Sequence, residues 1–343
     1  MEKYRLTEET INVNGITLYR IEALKDFGDV KEGNKGGFVE NDRNLSHDGN
    51  CWVYSNAKVY GNAKVFENAE VFGNAEVFGK SKVCGNANVF GDAEVFGNAL
   101  ICDKAKIYGA AEVCNYAEVY GDANVFGNAK VYDSAKVYGN AKVFGKTNVY
   151  DNAKVYENAD VFGNAKVYGD AEVYDNAEVY GNAEVYDNAE VYGNAEVWGN
   201  ARVYGNAEVY DNVKIHENAE VYEYALVYDD AKVCGNAKVC GNAEVCGNAT
   251  ITSDSDYIIF KNWWSSGRFF TWTKSNNMWK VGCFYGSGHE LIEKAYKDSE
   301  KSGVEYKRVV NYIESILTNK RNKNNCPKTC IIQKLFVSLQ RKH

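Results

Sequence analysis

From Val53 to Ile251 the chain repeats a six-residue pattern without one insertion or deletion. A typical unit, residues 182–187, reads Asn-Ala-Glu-Val-Tyr-Asp, and its Val position holds only Val or Ile throughout the repeat. An internal period this short and this regular is typical of a parallel β-helix, in which each unit forms one side of a coil. The repeat therefore constrains the fold of more than half of the 343 residues.

Within each unit the side chains alternate between the inside and the outside of a short strand. Ala183 and Val185 are two positions apart and share one face, whereas Glu184 and Tyr186 point the other way. The Gly, Asn and Asp residues between units tolerate positive φ and can turn a corner. Three sides close one coil, so residues eighteen apart stack at roughly 4.8 Å. We predict an all-β solenoid, a three-sided parallel β-helix over residues 51–252, about eleven coils and roughly 50 Å long.

Composition narrows the class of protein further. The formal net charge of −8 argues against nucleic acid as the main partner. No apolar run approaches the ~20 residues that span a bilayer, and the first residues lack the apolar core of a signal peptide. The ten Cys are scattered rather than arranged as a disulfide framework. We therefore expect a cytoplasmic protein without a membrane partner.

The eighteen-residue register places outward aromatic residues in three vertical columns. We expect stacked neighbours to hold the coils in register, at about 0.2–1 kcal/mol per pair. The alternative is that these flat aromatic rows, one of which contains Trp198, bind sugar rings or a protein partner. Two columns run from Tyr60 to Cys240 and from Phe66 to Cys246, and the third, the Trp198 column, runs through Phe90, Tyr108, Phe126, Phe144, Phe162, Tyr180, Trp198, His216 and Cys234.

Charged residues form outward columns beside the aromatic ones. Glu172, Glu190 and Glu208 stack like on like, which costs energy unless the charges are screened or neutralised. We interpret this acidic column as a solvated face, and the alternative is a site for a basic partner or a divalent cation. A second column alternates favourably in sign through Glu184, Arg202, Glu220 and Lys238.

His216 and Cys234 are the weak candidates for chemistry within the repeat. They are eighteen residues apart and should stack, and a His beside a Cys suits a nucleophile pair or a partial metal site. The simpler interpretation is substitution within an aromatic column, so we expect no catalytic residue and no metal site. Cys234, Cys240 and Cys246 are six residues apart, which puts them on three different sides and prevents them from sharing one ion.

The two ends of the chain depart from the hexad and should cover the strand edges that a solenoid exposes. Residues 1–50 read as an N-terminal cap, with a strand at 16–21 and a turn into another strand at 35–39. Residues 253–318 read as a small α/β domain, and the basic tail at 319–343 is expected to be disordered.

The C-terminal domain itself reads as a hairpin followed by helix. Strands at 268–273 and 279–284 flank a polar turn, and helical spacing of apolar residues extends over 289–317, with a break at Gly303. Four tryptophans lie in this domain, Trp263, Trp264, Trp272 and Trp279. Packing in the domain core is the simpler interpretation, and the alternative is a recognition site that they form with Arg268.

Two segments resemble a known family. Gly36–Val39 and Leu45–Tyr54 resemble the first segment of YdcK-like hexapeptide-repeat proteins of bacteria and phages. Ser266–Arg268, Phe270–Thr271 and Cys283–Gly286 are similar to a small module that follows such repeats in phage and prophage proteins. The resemblance implies left-handed coils, against the usual right-handed crossover.

Three functions remain open at this point. The leading hypothesis is a non-enzymatic structural or binding scaffold, a rod without a cofactor that presents its columns and C-terminal module to a protein or glycan partner. The alternative, implied by resemblance, is a hexapeptide-repeat acyltransferase, a trimer that binds acetyl-CoA between subunits and uses a His base. This chain lacks the loop insertions of such enzymes. A further alternative is a self-assembling polymer joined end to end.

Overall fold

The computed structural model describes residues 2–322, and its N-terminal part forms a small β cap. β1 (Tyr4–Val13) pairs antiparallel with β2 (Ile16–Ala23), which in turn pairs antiparallel with β3 (Lys35–Val39). The inward side chains of β2, among them Leu18 and Ile21, are fully buried. Both predicted strands of the N-terminal cap are confirmed.

The hexads form a parallel β-solenoid, as the sequence predicts. From β4 (Trp52–Val53) to β37 (Thr250–Ile251) a two-residue strand recurs every six residues. Every third strand pairs in parallel, so residues eighteen apart lie opposite each other, for example Glu184 and Arg202. Three long sheets result, one on each side of the solenoid.

Small apolar side chains fill the interior of every coil. The inward Ala, Val and Ile positions of the hexads have exposed fractions of 0–1%. Two inward positions carry hydroxyls instead, and Ser81 and Thr147 donate them to the carbonyl oxygens of Phe78 and Phe144 at 2.8 and 2.7 Å. A buried hydroxyl with a partner costs little, so the interior stays continuous through both coils.

Each corner is turned by a residue in the left-handed region of the backbone. Gly181 has φ 73° and Asp187 has φ 59°. A Cβ on Gly181 would lie 3.0 Å from the backbone nitrogen of Gly199 in the next coil. The corners are also hydrogen-bonded from coil to coil, since Asn182 donates its N–H to the carbonyl oxygen of Gly199 at 2.7 Å. The coils are therefore tied at their corners as well as along their strands.

The cap covers the first edge of the solenoid. β3 pairs in parallel with β5 (Lys58–Val59), so the cap continues one of the three sheets. Trp52 is 1% exposed and meets the rings of Tyr4 and Phe27 edge-on, at centroid distances of 6.1 and 5.3 Å. The edge strand of this sheet thus has a pairing partner within the same chain.

Polar side chains cover the last edge of the solenoid. The final strand of each sheet donates a backbone N–H to a side-chain oxygen, in the pairs Lys238 to Asp254 Oδ1 (2.8 Å), Glu244 to Thr271 Oγ1 (2.9 Å) and Thr250 to Ser275 Oγ (2.7 Å). The acceptors belong to the segments around β38 (Tyr257–Lys261) and β39 (Phe269–Thr273). Residues up to Phe260, together with Phe270–Asn276, therefore form one compact unit with the solenoid.

Lys261–Phe269 and the described residues from Asn277 to Asn322 form a second compact unit. Its elements are β40 (Met278–Val281), β41 (Phe284–Gly286), α1 (Gly288–Asp298) and α2 (Glu300–Asn322). β40 and β41 pair antiparallel. The predicted single strand at 279–284 is therefore wrong, because Gly282 adopts φ 54° and turns the chain between two short strands.

The helical region breaks at Ser299, and the predicted break at Gly303 is wrong. Ser299 is extended, with φ −170° and ψ 153°, and its N–H closes the last turn of α1 on the carbonyl of Ala295. Its hydroxyl then accepts the N–H of Ser302 at 3.1 Å and caps α2. Gly303 lies inside α2, where a Cβ would come 2.2 Å from the ring of Tyr296. This glycine makes room for an aromatic ring instead of ending a helix.

The last helix extends past the predicted end of the C-terminal domain. α2 continues to Asn322, four residues into the tail predicted at 319–343, and the rest of that tail lies outside the described residues. Within residues 2–322, no helix combines the length and the apolarity needed to cross a bilayer.

Candidate functional site

The outward aromatic residues stack in columns, as the register predicts. In the Trp198 column, Phe126 and Phe144 have centroids 4.8 Å apart and planes 2° apart. On the other two sides Tyr150 and Tyr168 stack at 4.9 Å, as do Tyr156 and Tyr174. Each ring therefore covers the face of the next ring, and mainly ring edges project outward.

Trp198 lies near the C-terminal end of its column. Its ring is parallel to that of Tyr180 at 5.6 Å and stacks on the imidazole of His216 at 4.5 Å. Both faces of this indole are thus covered by neighbours, which leaves its edge for a partner. A ligand or partner at Trp198 would therefore meet the edge of the ring and not its face.

The carboxylates of the acidic column accept hydrogen bonds that the sequence interpretation missed. Glu172 and Glu190 are adjacent rungs, and so are Glu190 and Glu208. The hydroxyl of Tyr174 donates to Glu190 at 2.9 Å, and the neighbouring Tyr192 donates to Glu208 at 3.4 Å. Each of these two carboxylates thus accepts a hydrogen bond from the aromatic column of the preceding coil, which offsets part of the repulsion between like charges.

Glu172 ends the acidic column and has the strongest set of partners. It accepts hydrogen bonds from Tyr156 at 2.8 Å and from the Lys154 ammonium at 2.7 Å. Partial burial raises its pKa, but the contacts with Lys154 and Tyr156 outweigh burial, so the net pKa is lowered. The carboxylate is therefore ionised at neutral pH and paired within the protein.

The same contacts keep the tyrosine hydroxyls protonated in alkaline solution. Partial burial and the hydrogen bond to Glu220 raise the pKa of Tyr204 to about 12. Partial burial and the nearby carboxylates of Asp211 and Glu208 raise the pKa of Tyr210 to about 12. A tyrosine in an unfolded chain has a pKa of about 10. Ionisation of these two phenols is therefore coupled to unfolding.

We expect the protein to lose stability between about pH 10 and about pH 12. A group whose pKa is raised by folding stabilises the protein fully below its unfolded pKa, and this stabilisation is lost as the pH rises through the folded pKa. The urea midpoint should stay constant up to about pH 10 and then fall. The tyrosinate absorbance of the urea-unfolded chain should give a pKa of about 10. A midpoint that does not fall by about pH 12 would contradict this coupling.

His216 and Cys234 come together as predicted, and the structure adds Glu217 to them. His216 lies directly below Cys234, since the strands that precede them pair in register. Glu217 turns the next corner at φ 62°, and its carboxylate accepts the N–H of Gly235 in the following coil. One donor atom from each of the three side chains lies within 4.8 Å of the others.

The environment of Cys234 does not favour a nucleophile. Partial burial, followed by the charge of Glu217, raises the pKa of its thiol. A reactive cysteine needs a lowered pKa, because the thiolate is the nucleophile. Cys240 and Cys246 follow strands of the other two sheets, as predicted, and so lie on different sides of the solenoid.

The four tryptophans of the C-terminal segment separate into buried and accessible side chains. Trp272 and Trp279 are each 2% exposed, so they pack in the interior, as the core-packing interpretation expects. Trp263 is 78% exposed and meets Trp264 edge-on at 5.9 Å. Trp264 in turn packs edge-on against Tyr306 at 5.3 Å.

Arg268 remains a candidate binding residue, for a reason other than the predicted one. It is exposed and lines a cavity of about 370 Å³ within the second unit. The cavity is also lined by Lys294, Asp298 and Asn262. The Asn262 amide is buried there and donates to the hydroxyl of Tyr306 at 3.1 Å. This cavity is a small polar recess rather than an aromatic platform.

No family model matches this chain. A stretch of 67 residues is 36% identical to the uncharacterized acetyltransferase YdcK of Escherichia coli (strain K12). The match covers 17% of this chain and 21% of that protein, so the chain spans about a fifth of the relative's length. This similarity and the parallel β-solenoid of six-residue repeats fit the hexapeptide-repeat class of proteins.

Proposed function

We propose that this protein is a non-enzymatic scaffold, a rigid solenoid that presents its outer columns and its C-terminal module to a protein partner. The observation that carries the proposal is the constant length of the coils between Trp52 and Ile251. A substrate cleft on such a rod would need a loop or a bulge to form its walls, and this region keeps one strand in every six residues throughout.

The contacts between coils support a rigid rod. Each coil is joined to the next by backbone hydrogen bonds, by stacked rings and by side-chain pairs at its corners and faces. For example, the side-chain amide of Asn182 donates to that of Asn200 at 3.1 Å, and Lys166 pairs with Glu184 at 2.8 Å. Because these contacts repeat in successive coils, bending at one coil would break several of them together.

A protein suits the outer columns better than a glycan does. Sugar rings bind to the open face of an aromatic ring, and the faces in these columns are covered by their neighbours. Ring edges, tyrosine hydroxyls and alternating charges such as Arg202 and Glu220 are what the surface offers instead. That mixture is typical of the aromatic and charged composition of protein interfaces.

The acyltransferase remains the second candidate, because the matched relative is named an acetyltransferase. Among the described histidines, the one within the coils is His216, and its ring is stacked on Trp198. A general base needs an oriented partner and a substrate within hydrogen-bond reach. Glu217, the nearest carboxylate, is engaged by the N–H of Gly235.

Acetyl-CoA distinguishes the two candidates. We expect the melting temperature of the purified protein to be unchanged by acetyl-CoA, and no acetyl transfer to amine or sugar acceptors. A ligand present at 100 times its Kd would stabilise the folded state by about 2.7 kcal/mol, which a thermal melt detects easily. Stabilisation by acetyl-CoA, with turnover that is lost in His216→Phe, would overturn the scaffold proposal in favour of the enzyme.

End-to-end self-assembly is less consistent with the contacts at the two edges. The first edge pairs with the cap through β3, and the last edge is hydrogen-bonded by side chains such as Asp254 and Thr271. We also propose a cytoplasmic location, which is supported by described cysteines such as Cys84 and Cys102, which lie on adjacent coils without forming a disulfide.

A further inference from the structure

The three side chains of His216, Glu217 and Cys234 converge on one point of the solenoid surface. Their donor atoms lie within 4.8 Å of one another. In a tetrahedral zinc site, donors with bonds of about 2.0–2.3 Å are about 3.3–3.8 Å apart. Contraction by about 1 Å, within the range of small side-chain rotations, would bring the three donors to that spacing.

Each of the three residues departs from the column to which it belongs. Aromatic residues occupy every rung of the Trp198 column from Tyr54 to Trp198, and His216 and Cys234 replace them on the next two rungs. In the adjoining corner column, Gly occupies the eight rungs that precede Glu217. Three separate departures therefore meet at one place, and all three introduce a metal-binding atom.

We propose that His216, Glu217 and Cys234 bind a divalent transition-metal ion such as zinc, with water in the fourth position. An imidazole nitrogen, a carboxylate oxygen and a thiolate sulfur form a mixed donor set that suits Zn²⁺ or Co²⁺ rather than Mg²⁺ or Ca²⁺. Glu217 is exposed and the other two residues are half-buried, so an ion can reach the site from solvent.

Neighbouring contacts hold two of the ligands in place. The indole of Trp198 lies parallel to the imidazole, within 13°, and restricts its rotation. One oxygen of Glu217 accepts the N–H of Gly235, the residue that follows Cys234. Such outer contacts orient metal ligands and tune their affinity. This site goes beyond the proposed scaffold function and does not depend on it.

The protein contains a matched site that lacks the imidazole. One unit further along the chain, Glu223 turns a corner at φ 60° and accepts the N–H of Gly241 at 2.7 Å, as Glu217 does with Gly235. Its neighbours in the aromatic column are Tyr222 and Cys240. Within the described residues a corner carboxylate beside a cysteine of the following coil occurs four times, at Glu67, Glu217, Glu223 and Asp229. His216 is what distinguishes the proposed metal site, because Phe66, Tyr222 and Tyr228 precede the other three carboxylates.

Cobalt binding by the full-length protein tests the proposal. Chelator-treated protein is titrated with Co²⁺, and the thiolate-to-cobalt charge-transfer band and the stoichiometry are recorded. We expect one Co²⁺ per chain, displaced by Zn²⁺. Cys234→Ser should abolish the band, while His216→Phe and Glu217→Gly should each weaken binding at least about tenfold. The last two variants restore residue types found elsewhere in the same columns, so the fold is retained.

The controls separate this site from other cysteines. Cys240→Ser removes the thiol of the matched site, and a double replacement of Cys326 and Cys330 removes two thiols of the tail; both should leave the band unchanged. Circular dichroism confirms that Cys234→Ser is folded. A wild-type protein that shows no charge-transfer band at saturating Co²⁺, or a band that persists in Cys234→Ser, would overturn the proposal.

Discussion

Val167→Asp is expected to unfold the middle of the solenoid. Val167 is the inward residue of β23 (Lys166–Val167) and is 0% exposed, between inward residues of the coils above and below. A carboxylate there would be buried without a partner, which costs several kcal/mol. We predict a loss of more than about 4 kcal/mol in the free energy of unfolding, measured by urea denaturation with circular dichroism.

The adjacent outward residue provides the control for this variant. Lys166→Ala removes a side chain that is 45% exposed and pairs with Glu184 at 2.8 Å. An exposed ion pair of this kind contributes at most about 1 kcal/mol. Two neighbouring substitutions should thus differ severalfold in cost. Equal losses of stability in the two variants would show that the inward and outward assignment of the hexad is wrong.

Trp52→Ala is expected to detach the N-terminal cap from the first coil. Trp52 is 1% exposed and contacts Tyr4 and Phe27, so its removal leaves a cavity where the cap meets the solenoid. Buried tryptophan to alanine changes cost about 3–5 kcal/mol. Because solenoid coils contact only their neighbours, the loss should appear first as faster amide exchange in the cap and in β4 and β5.

Trp263→Ala is the matched control, since Trp263 is 78% exposed. We expect it to change stability by less than about 0.5 kcal/mol. If Trp52→Ala left amide exchange at the N-terminal end unchanged, the cap would not protect the first edge. Concentration-dependent association of Trp52→Ala, absent in the wild type, would in turn show that an uncovered edge recruits other chains.

The solenoid was predictable from the sequence because one period fixes every side chain. Once Val185 is placed inside, Glu184 and Tyr186 must lie outside, and the register of eighteen residues places Arg202 opposite Glu184. What the period did not show is contact between different columns. The hydrogen bond from Tyr174 to Glu190 joins residues sixteen apart, so a comparison restricted to residues eighteen apart overlooks it.

The helical break shows why local signals mislead outside the repeat. Glycine is a typical helix breaker. The role of Gly303, however, depends on the ring of Tyr296, which packs where a Cβ would lie. The backbone N–H of Ser299 closes the last turn of α1, and its hydroxyl caps α2. Serine is common at helix ends and also on helix surfaces, so its capping role depends on a backbone conformation that the sequence alone does not reveal.

The candidate metal site was predictable in part. The stack of His216 and Cys234 follows from their spacing of eighteen residues, whereas Glu217 belongs to a corner column. Its side chain reaches the next coil because a corner carboxylate extends along the solenoid axis to the N–H of Gly235. The same contact at Glu67 and Gly85 shows that this reach is a property of the corner. The carboxylates of corner glutamates such as Glu67 and Glu217 thus make their hydrogen bonds with the following coil.

If the hexads form one unbroken and rigid rod, the distance between two of its coils has a single fixed value. Asn74 and Asn218 are exposed corner residues of the same column, eight coils apart. Spin labels introduced there on non-natural amino acids leave the native cysteines untouched. We predict a single narrow distance distribution in pulsed electron–electron double resonance, with the two backbone positions about 38 Å apart. A broad distribution, or a distance that differs by more than one coil, would contradict the rod.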